Sequence, residues 1–187
     1  AELAQRLNVG FVDVAILGAI SVTHALTALI CAGRQAEEVQ RTLLTIGAPV
    51  TVVSTSAGDA ATLKLLRSVL TKGLEALSVE CLIAAEKQGL RSALYGILSD
   101  LDQTSIKDFM ELSVRTHVIH AKRRLHEVQD AQTQLLNAGI EPLVSKGVES
   151  LFERTSKALD AAPTSARSVE DSLAWLSQHA SLKPEQA

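Results

Sequence analysis

The sequence predicts a mainly α-helical protein that begins with the edge of an α/β sheet and continues as an all-helical half. Three short runs of apolar, β-branched residues occur near the N-terminus, and no strand pattern returns after residue 58. From there the apolar residues recur at helical spacing, in segments much longer than the strands. Neither an internal repeat nor a low-complexity tract interrupts this order.

The three β-branched runs have the length of strands and are bounded by Gly, Pro or Ser. A short helix precedes them, and a helix that stops at a glycine lies between the second and the third. This order of strand, helix and strand is typical of an α/β sheet. The predicted elements are a helix over 1–9, strands over 11–17, 25–33 and 49–55, and a helix over 34–47.

The helical half is predicted from its period and its stop signals. A long helix over 59–88 ends at a glycine, a residue that readily closes a helix. Thr104 or Ser105 caps a second long helix that runs to Asn137, with Asp108 in its first turn. The remaining helices are expected over about 89–101, from 142 to about 160, and in ARSVEDSLAWLSQH, before a frayed tail LKPEQA.

Composition and charge exclude several classes of function. Apolar residues make up 47% of the chain and charged residues 21%, which permits a packed core and argues against disorder. The net charge of −3 lacks the basic excess that nucleic-acid binding requires, and 3% aromatic residues are too few for base stacking. We therefore expect no nucleic-acid partner.

The two cysteines, Cys31 and Cys81, lie in apolar runs without CxxC spacing. Buried free thiols are the main interpretation, and a disulfide or a metal site is the lesser one. Neither cysteine stands at zinc-ligand spacing from His120, so we expect no metal. Free thiols fit a reducing cytoplasm, which is the predicted location.

Residues 11–32 are long and apolar enough to form a membrane-spanning helix in place of two strands. Asp13 and His24 lie inside this stretch, and each is costly in lipid. Gly18 divides the stretch into shorter runs, so strands are preferred and no membrane partner is expected. The chain does not open with a basic segment followed by an apolar one, so no signal peptide is indicated.

Lys64 lies near the start of the first long helix, which is otherwise largely apolar. Ala60 and Ala61, at helical spacing from it, are small and would let a ligand or another backbone approach closely. A lysine on such a face can transfer protons when its pKa is lowered. It can instead lay its stem along apolar surface and hold its amine in solvent. The residues leave both interpretations open, and Ser68 adds a hydroxyl one turn later.

The segment HVIHAKRRLHE concentrates histidine and arginine on the second long helix. His117, His120 and Arg124 share one face, and Arg123 is placed to pair with Glu127 on another. A cationic patch for a carboxylate or a phosphate is one interpretation. A solvated charged face is the other. The glycines of the chain form neither GxGxxG nor GxxxxGK, so the turn that cradles phosphate in nucleotide enzymes is not in this sequence.

Four segments of the chain resemble the 6-phosphogluconate dehydrogenase-like superfamily, which includes the 3-hydroxyisobutyrate, or β-hydroxyacid, dehydrogenases. The most similar branch is the phosphogluconate dehydrogenase-like proteins with a C-terminal helical domain of unassigned function, near the L-threonate dehydrogenases. The resemblance covers nearly the whole chain and is most specific in the last two segments. The segments are GFVDVAILGAI, ALICAGRQAEEVQRTLLTIGAPVTVVS, GDAATLKLLRSVLTKGLEALSVECLIAAEKQGL and HAKRRLHEVQDAQTQLLNAGIEPLVSKG.

The resemblance implies that residues 1–57 are the last strands and helix of a Rossmann-type NAD(P)-binding domain. Residues 58–187 would be an all-α domain for substrate binding and homodimer formation. NAD or NADP is the implied cofactor. In relatives the GxGxxG turn lies roughly a hundred residues before the position of Ala1, so we expect a truncated chain that is inactive alone. The alternative is a non-catalytic helical dimerisation module.

The family pattern Gly-x-x-x-x-x-Lys-x-x-x-Asn is matched by Gly58 and Lys64. The resemblance implies that Lys64 is the general acid/base that moves the hydroxyl proton while hydride goes to nicotinamide. The reaction would oxidise a secondary alcohol of a small hydroxy acid. Ser68 replaces the Asn and could donate one hydrogen bond to the substrate. Thr71 replaces the Glu of decarboxylating relatives, which argues against a decarboxylase.

The family's substrate loop, Asp-x-Pro-Val-Ser-Gly-Gly, reads DVAILGA here, starting at Asp13. Leu17 replaces the serine that binds the carboxylate, Gly18 is kept, and Ala19 replaces the second glycine. The resemblance therefore predicts Leu17 and Gly18 at the substrate, in a pocket unlike that of a 3-hydroxyisobutyrate enzyme. The substrate-binding residues that it predicts in the helical domain are His120, Arg123 and Arg124.

Overall fold

A computed structural model describes residues 2–18 and 20–180, apart from the side chain of Gln5. They form two compact units, Ala1–Glu75 and Ala76–Ala187, and the division falls inside a long helix. The predicted domain boundary, between residues 57 and 58, stays a prediction. The tail LKPEQA, expected to be frayed, lies outside the described residues.

The first unit contains a three-stranded sheet and the helices around it. All three predicted strands form, but the second begins later than expected, because residues before it form a short helix and a 3₁₀ turn at His24–Leu26. The elements are α1 (Glu2–Arg6), β1 (Asp13–Ile16), α2 (Ile20–Thr23), β2 (Leu29–Ala32), α3 (Ala36–Thr45), β3 (Val50–Ser54) and the start of α4 (Asp59–Lys87).

The strands lie in the order β1-β2-β3. β2 and β3 are parallel and are joined through α3, which confirms the predicted strand–helix–strand unit. β1 runs antiparallel to β2, with Asp13 opposite Ala32 and Ile16 opposite Leu29. The direction of β1 was not predicted, because an apolar run has the same pattern in either direction.

Both faces of the sheet are covered. Ile30 and Ala32 of β2 pack with Ala60, at the start of α4. Cys31 points to the other face and packs with Ala36, at the start of α3. Alternate residues of a strand face opposite sides, so one strand supplies both cores. A sheet covered on both faces is typical of parallel strands in α/β proteins.

The two cysteines differ in exposure. Cys31 is buried, as predicted, and burial raises the pKa of its thiol. Cys81 is exposed on α4, so the prediction of a second buried thiol is wrong. The apolar run around Cys81 was misleading because α4 leaves apolar side chains such as Val79 and Ile83 exposed. Both thiols are free.

Residues 11–32 do not form the single helix that a membrane span would need. They contain β1, α2, the 3₁₀ turn and β2. The preference for strands over a spanning helix is therefore confirmed for this stretch. Among the described residues, no helix is long and apolar enough to cross a bilayer.

The second unit is helical, as predicted. Ser105 caps its longest helix by accepting a hydrogen bond at Oγ from the backbone N–H of Asp108 at 3.1 Å, which selects it over Thr104 as the cap. Its elements are the end of α4, then α5 (Arg91–Ile97), α6 (Ile106–Asn137), α7 (Leu143–Ala161) and α8 (Val169–His179), with a 3₁₀ turn at Leu101–Gln103.

The core of this unit forms where α6, α7 and α8 meet. Val118 of α6 packs with Trp175 of α8 and with Ala180. The indole Nε1 of Trp175 donates a hydrogen bond to the carbonyl oxygen of Ala162, just after α7, at 3.1 Å. The only tryptophan of the chain is therefore both packed and hydrogen-bonded.

Two charged residues of α4 hold the turn between α6 and α7. Glu80 is only 8% exposed, and its carboxylate accepts hydrogen bonds from the backbone N–H groups of Val144 (2.9 Å) and Ser145 (3.1 Å) at the start of α7. Lys87, two turns later, donates from Nζ to the carbonyl oxygen of Ala138 at 3.1 Å, just after α6. Each charge has the sign that its helix end favours.

Burial and hydrogen bonding act in opposite directions on Glu80. Burial is the largest influence and acts to raise the pKa of its carboxyl group. Hydrogen bonds from the Ser145 hydroxyl and from the backbone N–H groups of residues 143–145 together outweigh burial, so the pKa of Glu80 is lowered. The Glu80 carboxylate is thus buried and charged because the start of α7 supplies its hydrogen-bond donors.

Candidate functional site

The start of α4 is anchored to both outer strands of the sheet. Gly58, just before the helix, has a φ of 109°, a left-handed conformation that favours glycine. Asp13 of β1 accepts a hydrogen bond at Oδ2 from the backbone N–H of Ala61 at 2.8 Å. Ser54 of β3 donates from Oγ to Oδ2 of Asp59 at 2.6 Å. The first turn of α4 is therefore fixed in place.

Lys64 lies one turn beyond this anchor. Ala60 is fully buried (0% exposed) against the sheet, and Lys64 follows it on the same face of the helix. The Lys64 side chain is exposed, and with the residues that the structure describes its amine forms no hydrogen bond or ion pair. The Lys64 amine is therefore exposed, one helical turn from the buried contact between Ala60 and the sheet.

Ser68 is half-buried, one turn after Lys64. Its Oγ donates to the backbone carbonyl oxygen of Lys64 at 3.0 Å. Because a hydroxyl has a single proton, Ser68 keeps only acceptor capacity in this arrangement. In this arrangement the Ser68 proton is used within the helix, and the predicted role of Ser68 at the substrate stays a prediction.

Leu17 and Gly18 follow β1 directly. Leu17 is partly buried and packs against the cluster that contains Ala60, so it helps to seat the start of α4. Gly18 is exposed, and a Cβ added to it would lie 3.2 Å from Cγ2 of Thr27. The end of β1 and the first turn of α4 thus meet at the cluster that contains Ala60.

The second unit contains a cavity of about 560 Å³ between α6, α7 and α8. Of the three substrate-binding residues predicted in this unit, Arg124 lines the cavity, whereas His120 and Arg123 do not. Arg123 is exposed and pairs with Glu127, which confirms the predicted ion pair. The residues that line the cavity include Val114, His117, Arg124, Leu151, Phe152 and Arg154.

The hydrogen bonds of His117 fix its tautomer. Nε2 lies 2.9 Å from Oγ1 of Thr155, which itself donates to the carbonyl oxygen of Leu151 at 3.1 Å. Thr155 must therefore accept from His117, so Nε2 carries the proton and Nδ1 is the acceptor. Burial, and then the charge of Arg124, lower the pKa of His117, which favours the neutral ring.

Several residues and contacts of these sites were not predicted. For the predicted Arg124, the new finding is its contact: it is half-buried, and its Nη1 donates to Oγ1 of Thr116 at 3.1 Å. Arg154 and Thr155 reach the same cavity from α7, and Asp13 reaches α4 from β1. Thr155 lies 38 positions from His117, and Asp13 lies 48 positions from Ala61, so no local spacing could have indicated these contacts.

Comparisons with known proteins bear on the second unit first. Residues 85–155 match a family described as a domain of unknown function, DUF1932. The chain is also similar to an "uncharacterized 28.5 kDa protein in 7S RNA 5′ region" from Methanothermus fervidus, with 32% identity over 143 residues. That match covers 76% of this chain and 55% of the archaeal protein, so the chain spans about half the length of that relative.

Solved structures share the fold. A reductive aminase from Aspergillus terreus, in complex with NADPH, cyclohexanone and allyl amine, superposes with a TM-score of 0.67 at 13% identity, over 94% of this chain and 64% of its own. An imine reductase from Myxococcus stipitatus, in complex with NADP⁺, gives 0.66 at 17% identity, over 92% and 66%. Such low identities show the fold alone.

The shared fold is that of dehydrogenase-type proteins with a helical C-terminal domain, which confirms the predicted fold class. The DUF1932 match lies within the second unit, from the end of α4 into α7. The family resemblance drawn from the sequence is thus confirmed at this level: residues 85–155 match DUF1932, and the chain shares the fold of dehydrogenase-type proteins.

Proposed function

We propose that the chain supplies the proton-transfer and substrate-binding part of an NAD(P)-dependent oxidoreductase that interconverts a small hydroxy acid and its keto acid without decarboxylation. The observation that carries the proposal is the Lys64 amine. It is exposed, lacks a partner among the described residues, and lies one turn beyond the buried Ala60 on an anchored helix. Support also comes from the shared fold, because the reductive aminase and imine reductase structures contain NADPH and NADP⁺.

Lys64 acts as the general acid/base in this proposal. As a neutral amine it accepts the proton of the substrate hydroxyl while the alcohol becomes a ketone, and as an ammonium it returns the proton in the reverse reaction. No described carboxylate pairs with the amine, so no ion pair must break before a proton moves. The contacts of Asp13 and Ala60 hold the helix turn that carries it.

Ser68 and Leu17 shape the substrate preference. The Ser68 hydroxyl donates its hydrogen bond to the backbone carbonyl oxygen of Lys64. In this arrangement it can accept a hydrogen bond from a substrate hydroxyl but not donate one to a carboxylate. Leu17 offers an apolar surface where relatives have a serine, beside the exposed Gly18. His120, Arg123 and Arg124 remain predicted contacts of the substrate's carboxylate.

The described residues do not form the phosphate site of a nicotinamide cofactor. Gly33, between β2 and α3, lies at the kind of strand-to-helix turn that holds pyrophosphate in dinucleotide-binding folds. The backbone N–H of Gly33 already donates a hydrogen bond to the carbonyl oxygen of Ser54 at 3.1 Å, so it is not available to a phosphate in this arrangement. We therefore assign no residue of this chain to the cofactor, which supplies only the hydride chemistry.

The test is Lys64→Met in the full-length protein, after small hydroxy acids have been screened with NAD and NADP for formation of reduced nicotinamide. We expect kcat to fall by a factor of about 10²–10⁴, the usual contribution of a general acid/base, with the circular dichroism and the melting temperature unchanged. Lys72→Met is the matched control, because Lys72 lies two turns further along α4 and pairs with Glu75. Near-normal turnover of Lys64→Met, or an equal loss in both variants, contradicts the role.

A helical dimerisation module is the second candidate, and exposed apolar side chains favour it. In the second unit Val79 on α4 is 55% exposed and Ile97 on α5 is 74% exposed, and isolated soluble domains seldom leave so many large apolar groups in water. A homodimer through the helical domain would cover such groups. Light scattering tests this candidate: a dimer that binds neither NAD nor NADP in the full-length protein supports it, and a monomer contradicts it.

A further inference from the structure

The cavity between α6, α7 and α8 has the size and lining of a small-molecule site. Its volume of about 560 Å³ lies within the range of about 300–1,000 Å³ that is usual for ligand pockets. Among its described lining residues, none is acidic, and apolar side chains form most of the wall. All of these residues belong to the second unit.

The charge of this cavity comes from arginine. Arg124 reaches it from α6 and Arg154 from α7. The hydrogen bond from Arg124 to Thr116 uses one N–H of the five that a guanidinium has, and it limits the movement of a half-buried side chain. A planar guanidinium held in this way matches the two oxygens of a carboxylate.

His117 contributes a different group. Its Nε2 proton is donated to Thr155, so Nδ1 is an acceptor. Burial and the neighbouring Arg124 keep the ring neutral, so it adds no second positive charge to the α6 side of the cavity. The Phe152 ring stands nearly perpendicular to the imidazole, with ring centroids 4.6 Å apart.

The remaining walls are apolar. Val114 lines the cavity from α6, Leu151 and Phe152 from α7, and Leu173 from α8. A free phosphate would place its charge against these walls without any favourable contact to them, whereas an apolar chain would be removed from water there. The lining therefore selects a ligand with one anionic end and an apolar body.

We propose that this cavity binds a carboxylic acid with an apolar body, with the carboxylate on Arg124 and the body against Leu151 and Phe152. The inference does not depend on the proposed oxidoreductase function, because it concerns binding that requires neither cofactor nor turnover. The ligand of Arg124 is thus inferred from the pocket that Arg124 lines, and not only from its position on the helix.

Octanoate and octan-1-ol are suitable probes, because they share an apolar chain and differ in the anionic end. Calorimetric titration of the chain is expected to show saturable binding of one octanoate per chain, and at least tenfold weaker binding of octan-1-ol. The fluorescence of Trp175, the only tryptophan, gives a second readout because its neighbour Leu176 lines the cavity. Equal affinities for the two probes, or no saturable octanoate binding, would overturn the proposal.

Arg124→Gln is expected to weaken octanoate binding at least tenfold and to leave octan-1-ol binding unchanged. Lys122→Gln is the matched control: Lys122 lies two residues away on the same helix, but it is exposed, pairs with Asp160 and does not line the cavity. If Arg124→Gln does not fold, Arg154→Gln replaces it, with a loss of about threefold expected because Arg154 is more exposed. Equal effects of the position 122 and position 124 changes refute the site. The site is also refuted if octanoate does not bind to the unmodified chain and Arg124→Gln changes the oligomeric state. The cavity would then be a contact between subunits.

Discussion

The two ends of α4 hold charged residues in opposite situations. Near its start, in the first unit, Lys64 is exposed and has no partner among the described residues. Near its end, in the second unit, Glu80 is buried and accepts hydrogen bonds from the start of α7, and Lys87 donates to carbonyl oxygens after α6. One continuous helix therefore carries both kinds of charge.

Comparing Lys64 with Glu80 and Lys87 separates charges that stabilise the fold from a charge that is available for function. A buried charge is stable only when hydrogen bonds replace the water that it loses, so Glu80 serves the fold through its partners. Lys87 is exposed and serves the fold by donating to carbonyl oxygens after α6. An exposed amine without a partner contributes little to stability and stays available to a ligand. Composition alone does not distinguish the two, because all three residues lie in the same apolar segment.

Glu80→Ala should give the largest loss of stability and so tests the structural half of the comparison. The change leaves backbone N–H groups at the start of α7 without an acceptor, and we expect a loss of about 2–3 kcal/mol of unfolding free energy. Urea unfolding followed by circular dichroism measures it. Glu75→Ala is the control, because the Glu75–Lys72 pair is exposed, and it should cost less than about 0.5 kcal/mol. Equal losses in the two variants would show that Glu80 does not cap α7.

Ala60→Leu should give the next largest effect and probes the anchor of the other end. Ala60 is fully buried against the sheet, so three added carbon atoms would overpack it at a cost of about 1–3 kcal/mol. Ala61→Leu is the matched control, because Ala61 is the next residue and its side chain is exposed. The melting temperatures of the two variants decide the matter. An unchanged melting temperature for Ala60→Leu contradicts the packing of α4 on the sheet.

The pH dependence of stability should give the smallest effect. The pKa of Glu80 is lowered in the folded chain, so its contribution is complete above the unfolded value of 4.5 and is lost as the pH falls through the folded value. Glu80→Gln removes this titration. We therefore expect the difference in unfolding free energy between the unmodified chain and Glu80→Gln to shrink in acid. A difference that is constant down to the acid limit of folding would contradict the lowered pKa.

The helical half was predictable in detail from local signals. Ser105 and Asn137 mark the ends of the region that forms α6, and the glycine after α4 was recognised as a stop. These signals act within one or two turns, so they can be read from neighbouring residues. By contrast, the helical turns between Ile20 and Leu26 were missed: residues 18–24 were assigned to no element, and the predicted strand started at residue 25.

The candidate sites were predictable only in part. Lys64 and Arg124 were proposed from the family pattern and the helix face. The hydrogen bond from the Ser68 hydroxyl to the Lys64 carbonyl oxygen and the four cavity residues from α7 were not predicted. The exposure of Cys81 was also mispredicted. In each case the outcome depends on what lies next to the residue in space.

From the sequence come the classes of the segments: three strand-length runs, five helices after them, no GxGxxG turn, and a lysine near the start of the first long helix. Periodicity, caps and glycines carry this information because they act over a few residues. Tertiary contacts alone set the anchoring of α4 by Asp13, the capping of α7 by Glu80, and the cavity that Arg124 shares with His117. Those outcomes depend on contacts between distant segments, whose geometry and burial set which charges are paired and which remain available.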